Sequence, residues 1–393
     1  MKIKNFLINN KLSLSLVLIV LSMFSFISYT YAEGLDELPS ELQAAYVGAD
    51  QPINGGMLRD FVAKNPPPWT IGYASSYTGN TWRAASASFL ADTLIPQAID
   101  AGLVKEVITL QSDLKDAVQI QQIRQLVDQG VDAIFLCCSN PTALNQTIKY
   151  AYDNGVPVFS FSGYLTAPES FGASANYVTG GYDIASAIAD KIGGKGNVLL
   201  VSGIAGFSSS DSFDLGALKA LSEYPDIKLV GTVQGMWTDS VAQTEVQKFL
   251  ATHPGQLDAI IAQSPAENGV LQAMLQSGRP MIPISVSGEM GAVCYWRNNP
   301  DWIDAGFMVW PPAGEIYIAW NMMLRTLQGQ GPKINAVLRP VLKFTHDEVV
   351  ARVPADCDTA DPGWFEPDVE TWFPKSMADA MVLRPADPFT WKP

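Results

Sequence analysis

Residues 66–85 read PPPWTIGYASSYTGNTWRAA, and the order of events within them decides the fold. Residues 69–74 are short, apolar and β-compatible. A small polar loop follows over 75–81, and a long helical pattern starts at Trp82. A strand that ends in a polar loop and feeds a helix is half of a βαβ unit. In open α/β sheets such loops, at the carboxyl ends of the strands, are where ligands sit. Ser75 and Asn80 place hydrogen-bonding side chains there, and Trp82 adds a flat apolar face beside exposed helix N–H groups. The three prolines stiffen the entry to the strand.

Working outward, strands and helices alternate. A helix is expected over 82–101, with Pro96 kinking or dividing it, then a strand over 107–110. The next helix spans 113–129, with Ser112 as N-cap and Gly130 as C-cap. Residues 133–138 are an unalternated apolar run, as in a parallel strand covered on both faces. A helix over 142–154 and a strand over 156–161 complete one doubly wound series. A second series begins after Ser174, with helices over 180–192, 212–223, 241–252 and 267–276. Its strands are expected over 197–201, 227–233, 259–262 and 282–286. Residues 305–309, a helix over 314–328 and an extended crossing over 337–344 follow. The fold class is α/β: two Rossmann-like doubly wound lobes with a cleft between them.

A chain of 393 residues, 48% hydrophobic and 16% charged, is long enough for two buried cores. Its start reads as a secretory signal: Lys2, Lys4 and Lys11 precede an apolar run over 12–27, and Thr30 and Ala32 are small. An uncleaved anchor competes, because the run approaches the ~20 residues that span a bilayer. The small residues followed at once by polar EGLDE favour cleavage after Ala32 and a periplasmic location. Removal of 1–32 takes three lysines and no acids, so the net charge becomes −14 − 3 = −17. That balance disfavours nucleic acid as a partner. Of four cysteines, Cys294 and Cys357 either pair in an oxidising exterior or stay as buried thiols. Only His253 and His346 are present, with no Cys or second His at ligand spacing, so neither a metal site nor a cofactor is expected. No nucleophile motif or phosphate loop occurs, and no catalytic residue is assigned. The segment GIAGFSSSDS over 203–212 lacks a dinucleotide fingerprint but suits a ligand loop.

At this point the chain resembles a family. TIGYASSYTGNTW, DQGVDAIFL, NPTAL, NGVPVF, IAGFSSS and ATHPGQLDAIIAQ stand in the order seen in periplasmic sugar-binding proteins of the ribose-binding type, the type I solute-binding components of ABC importers. The resemblance implies two lobes joined by a three-crossing hinge, with sugar bound between them. The crossings fall near Ser174, Trp310–Pro311 and Arg339–Pro340. One lobe is then 66–173 plus 311–339 and the other 174–310 plus 340–353. Residues 33–65 form an extension outside the common core. A Pro/Trp-rich tail over 354–393 is expected to wrap over a lobe.

Site residues carry over unevenly. Ser75 matches a hydroxyl at the first strand end, while Trp82 and Trp237 match aromatic positions. Cys137 stands where Asn is usual, and Asn140 can slide into that role. Ser162, in FSGY, stands where an Asp-Arg or Asp-Gln pair is usual, Phe213 or Asp211 replaces an Arg, and Ser264, in QSPAEN, replaces an Asn-Asp pair. Trp310 replaces a Gln, and Glu289 stands near a missing acid. With fewer charged contacts and more aromatic area, the expected ligand is less polar than free ribose. The implied function is a monomeric receptor that hands a small carbohydrate to an ABC permease. A sensory receptor for a membrane kinase or chemoreceptor is the second reading, and a secreted hydrolase, lacking a nucleophile–base pair, the third.

Overall fold

The computed structural model describes residues 34–137, 140–339 and 341–386. The signal run and its cleavage point lie outside these residues, as do Cys138 and Pro340. The first strands are β1 (Trp69–Ser75), β2 (Val104–Gln111), β3 (Ala133–Cys137), β4 (Val158–Phe161) and β5 (Ser170–Ala175). Then come β6 (Lys195–Ser202), β7 (Asp226–Gln234), β8 (Ala259–Ala262), β9 (Gly306–Met308), β10 (Ala336–Arg339) and β11 (Leu342–Phe344).

One sheet has the order β10-β5-β4-β3-β1-β2 and the other β7-β6-β8, every pairing in both being parallel. Parallel strands need both faces covered, and every residue of β3, β4, β5 and β8 is buried. Each sheet is the centre of one lobe, and the chain passes between lobes after β5, after β9 and between β10 and β11. Helix Pro312–Leu327 runs between the last two passages and packs on β3, β4 and β5.

Several local expectations are corrected, but the helix over 82–101 is divided as expected: Thr81–Phe89, a π-turn over Leu90–Leu94, and Ile95–Asp100, with Pro96 in the first turn of the last piece. Pro96 has no N–H to give there, so the new helix starts where none is needed. Ser112 is not an N-cap. Asp113 and Leu114 take φ of 51° and 60°, Ser112 and Leu114 donate backbone N–H to the carbonyls of Ser75 and Ser76, and the helix begins at Asp116. The strand over 282–286 shrinks to one bridge, Ile260 to Ile284, since Pro283 cannot donate to a ladder. The expected extended crossing over 337–344 is two strands in two sheets, β10 beside β5 and β11 antiparallel to β9. Strand β5 and helix Met290–Asn298 were not expected at all.

The flanking segments lie against the passages between lobes. In the extension, the Tyr46 hydroxyl donates to the Ala336 carbonyl and accepts from Leu338 N–H. Ser212, on helix Ser208–Leu221 of the other lobe, donates to Asp50 at 2.6 Å. The tail is joined to helix Met290–Asn298 by the disulfide Cys294–Cys357. It then runs past Gly288, whose carbonyl takes Phe365 N–H. Glu366 accepts Ala313 N–H at 2.9 Å, and Trp372 is buried against Gly314. Arg325 closes the path with an ion pair to Asp379 at 2.8 Å.

Candidate ligand-binding cleft

Between the lobes lies a small cavity lined by Asn80, Trp82, Arg83, Ser162, Ser209, Trp237, Ser264, Pro265 and Trp310. Each lies just past the carboxyl end of a strand: β1, β4, β6, β7, β8 or β9. Strand polarity gathers all but Trp310, since parallel strands bring their carboxyl-end loops to one edge; Trp310 follows β9, which pairs antiparallel with β11.

The first wall is the stretch that opens the fold. Asn80 has extended backbone, and its side chain accepts Arg83 N–H, which caps helix Thr81–Phe89. Trp82, buried in the first turn, stacks on Phe161 with centroids 6.2 Å apart and donates its indole N–H to the Trp310 carbonyl at 2.9 Å. The Arg83 guanidinium sits 4.8 Å from the Trp82 ring and against the Cys137 sulfur.

The second wall depends on two glycines. A Cβ on Gly181 would meet the Phe213 carbonyl at 2.0 Å, and one on Gly216 the Val178 carbonyl at 1.9 Å. Helices Tyr177–Lys191 and Ser208–Leu221 thus touch backbone to backbone. That contact puts Tyr177 and Phe213 on the two faces of Trp310, with centroids 5.4 and 5.3 Å away. Trp237 has φ of 51°; Phe207 meets it edge-on at 5.6 Å, and its indole donates to Gln263 at 3.0 Å. Gln263 is fully buried and in turn donates to Asp214 and the Ser210 carbonyl. The indole is therefore held by a chain of buried polar groups rather than by apolar contact alone. Ser162, at φ of 56°, completes the cleft edge; left-handed backbone at a non-glycine residue often marks a functional position.

The eleven residues singled out in the sequence divide into two groups. Asn80, Trp82, Ser162, Trp237, Ser264 and Trp310 share the cavity. The other five stand apart from its wall. Ser75 is buried at the end of β1, and its carbonyl takes Ser112 N–H. Cys137 lies behind Arg83, and Phe213 lies behind Trp310. Asn140 folds back to accept from Thr142 and Ala143 N–H, on a separate groove with Ser76, Asp116 and Gly206. Glu289 caps helix Glu267–Gln276, accepting the backbone N–H groups of Ala266, Glu267 and Asn268 at 2.9, 2.7 and 3.2 Å.

Arg83, Ser209 and Pro265 were missed. Arg83 follows Trp82 in a helix that is otherwise small and apolar, and that isolation was the available signal. Ser209 sat in a presumed loop, but SSSDS is the opening turn of a helix.

Behind the second wall three acids converge. Burial, with Asp239 and Glu267 adding repulsion, holds the Glu289 carboxyl well above its ordinary range. Burial pushes Glu267 up to about 8 and raises Asp239, whose Oδ1 accepts Gly269 N–H at 2.9 Å. An acid with a raised folded pKa binds more protons folded than unfolded, so it favours the fold at low pH and loses that effect as pH rises. The melting temperature is expected to fall as pH rises from about 4.5 to about 8, the ordinary and shifted values for Glu267. Glu267→Gln should flatten that slope. An unchanged slope in differential scanning calorimetry would contradict the burial assigned to this acid.

Comparison with known proteins agrees with this geometry. A xylitol-binding protein of Mycolicibacterium smegmatis is 29% identical over 170 residues, 43% of this chain and 49% of the relative, so the chain matches about half that protein's length. The ribose import binding protein of Bacillus subtilis is 25% identical over 252 residues, 63% of this chain and 77% of the relative. Among solved structures, an ABC transporter solute binding protein from Thermobispora bispora superposes with a TM-score of 0.68 at 25% identity, covering 77% of this chain and 93% of that one. The family described as periplasmic binding protein domain matches residues 71–331, more than half of the chain. With two parallel sheets, three passages between them and a cavity at their carboxyl edges, the chain belongs to that family, with the type I fold.

Proposed function

We propose that this protein captures a small neutral sugar or polyol between its lobes and delivers it to the membrane subunits of an ABC importer. The observation that carries this reading is the pairing of indole and hydroxyl groups from both lobes around one cleft. Sugar and polyol carbons present C–H faces that pack on Trp82 and Trp237, while hydroxyls take Ser162, Ser209, Ser264 and Asn80. The xylitol-binding and ribose import relatives have names of that class.

The lobes of this reading are 66–173 with 311–339 and 174–310 with 340–353. The receptor works as a monomer, with no nucleic-acid partner. It acts in the periplasm after cleavage at Ala32, so amino-terminal sequencing of the exported protein should begin at Glu33. A thermal-shift screen over pentitols, pentoses, hexoses and furanosides tests the binding class. A ligand that binds only the folded form raises the melting temperature by mass action, about 2.7 kcal/mol of stabilisation at a hundred times Kd. Stabilisation by amino acids or nucleosides, and by no sugar or polyol, would overturn the reading.

A further inference from the structure

Three consecutive residues at the start of helix Thr81–Phe89 reach across the cleft. Asn80 donates to the Trp237 carbonyl at 3.0 Å, Thr81 donates its hydroxyl to Glu289 Oε1 at 3.3 Å, and Trp82 donates to the Trp310 carbonyl at 2.9 Å. Two of the acceptors are backbone carbonyls. The third is an ionisable side chain, almost wholly buried, that is already engaged on its other oxygen. Glu289 Oε2 gathers the N–H groups of Ala266, Glu267 and Asn268, the residues directly after Ser264 and Pro265 of the cavity wall.

We infer that Glu289 is a positioning residue that links the two halves of ligand capture: one carboxylate oxygen fixes the Ser264–Pro265 wall, and the other receives Thr81 when the lobes close. The inference rests on the reading of the cleft as one that closes on its ligand. No group on Glu289 touches the ligand cavity, so its effect is on closure and on the shape of the wall.

Closure is then linked to pH. Withdrawing Thr81 on opening lets water reach Oε1, whereas closing shuts it away, and burial disfavours the charged form. The closed protein therefore holds a proton on the acid cluster more tightly than the open protein does, and lower pH favours the closed form. Three elements and the tail bring charged groups toward Glu289. Helix Asp239–Thr252 brings Asp239, and helix Glu267–Gln276 brings Glu267, both acids that push the same way. The tail brings Asp361, whose carboxylate is turned to Gly363 N–H. The opposite lobe brings Arg83, whose guanidinium lies over Trp82.

The test follows the distance between a fluorophore on each lobe of the full mature chain, without ligand, between about pH 4 and pH 9, a range that brackets the ordinary and raised values for Glu. Wild type is expected to close progressively as pH falls. Thr81→Val keeps the side-chain shape but removes the donor. It should shift the closed-to-open ratio roughly five- to tenfold toward open, the size of one ordinary hydrogen bond, while the pH response persists, because Val still covers Oε1 and no longer supplies the donor that favours the charged form. Glu267→Gln, which leaves Glu289 in place, should weaken that response without moving the ratio at low pH. A distance that is the same at every pH, or the same in wild type and Thr81→Val, overturns the inference. The sugar and polyol screen on the same proteins separates the two readings. If closure follows pH and no sugar binds, only the ligand assignment fails. If a sugar closes wild type and Thr81→Val equally at every pH, only this linkage fails.

Discussion

Replacing Cys294 and Cys357 together by serine is expected to lower the unfolding free energy by roughly 4 kcal/mol, the chain-entropy value for a cross-link between positions 63 residues apart. The bond also anchors the tail at its root. Beyond Cys357 the tail touches the β6–β8 lobe at Gly288 and Met290, then helix Pro312–Leu327 and residues 330–333 of the other lobe. Released at one end, it should be cut by protease before the lobes are. Denaturant titration of oxidised, reduced and double-serine protein reads the first effect, and timed proteolysis reads the second. A midpoint shared by all three forms would show that the tail holds its place without the bond.

The second large effect is on binding. Trp237→Ala is expected to weaken the sugar or polyol that most raises the melting temperature by about thirtyfold, the equivalent of about 2 kcal/mol for a buried aromatic anchor. Trp237 packs against Phe207 and is held by Gln263, so its loss opens the wall but leaves the sheets alone. Trp82→Ala should cost binding and, because that ring packs on Phe161 and bonds Trp310, fold stability as well. Ser75→Ala should bind as wild type does, since Ser75 lies outside the cavity wall. Calorimetric titration of the three variants decides it. Equal losses in Ser75→Ala and Trp237→Ala would move the site away from this cavity.

The sequence showed much of this architecture because parallel strands leave a loud signal. The run at 133–137 has no polar alternation because helices cover both faces, and β8 and helix Glu267–Gln276 fall where the pattern put them. What escaped notice carried weak local signals. Strand β5, SFGASA, has no β-branched residue and is a strand through its neighbours β4 and β10. The change of sheet between β10 and β11 depends on tertiary pairing, which a continuous extended stretch does not announce.

The site was legible in kind and less so in detail. Loop–helix junctions singled out Trp82 and Trp237, and the structure brings both to one cavity, because strand polarity gathers such junctions at one edge. Glu289 sat beside the right strand end, yet three backbone N–H groups of a neighbouring helix claim its carboxylate. That competition is visible only once the helix is in place. Arg83 was overlooked because a charge in the first turn of a helix usually faces solvent. Here the Trp82 ring and Cys137 turn it inward.

The central claim is that one cleft between two lobes closes on a sugar or polyol. Small-angle scattering during titration with the compound that most raises the melting temperature tests it most directly. Conversion of a largely open population to a largely closed one needs about 5.5 kcal/mol of preference for the closed form, well within the roughly 8 kcal/mol of a micromolar binder. The expected result is a radius of gyration that decreases and saturates at one ligand per chain. A saturable rise in melting temperature with a constant radius of gyration would contradict closure, and with it the account of how this protein holds its ligand.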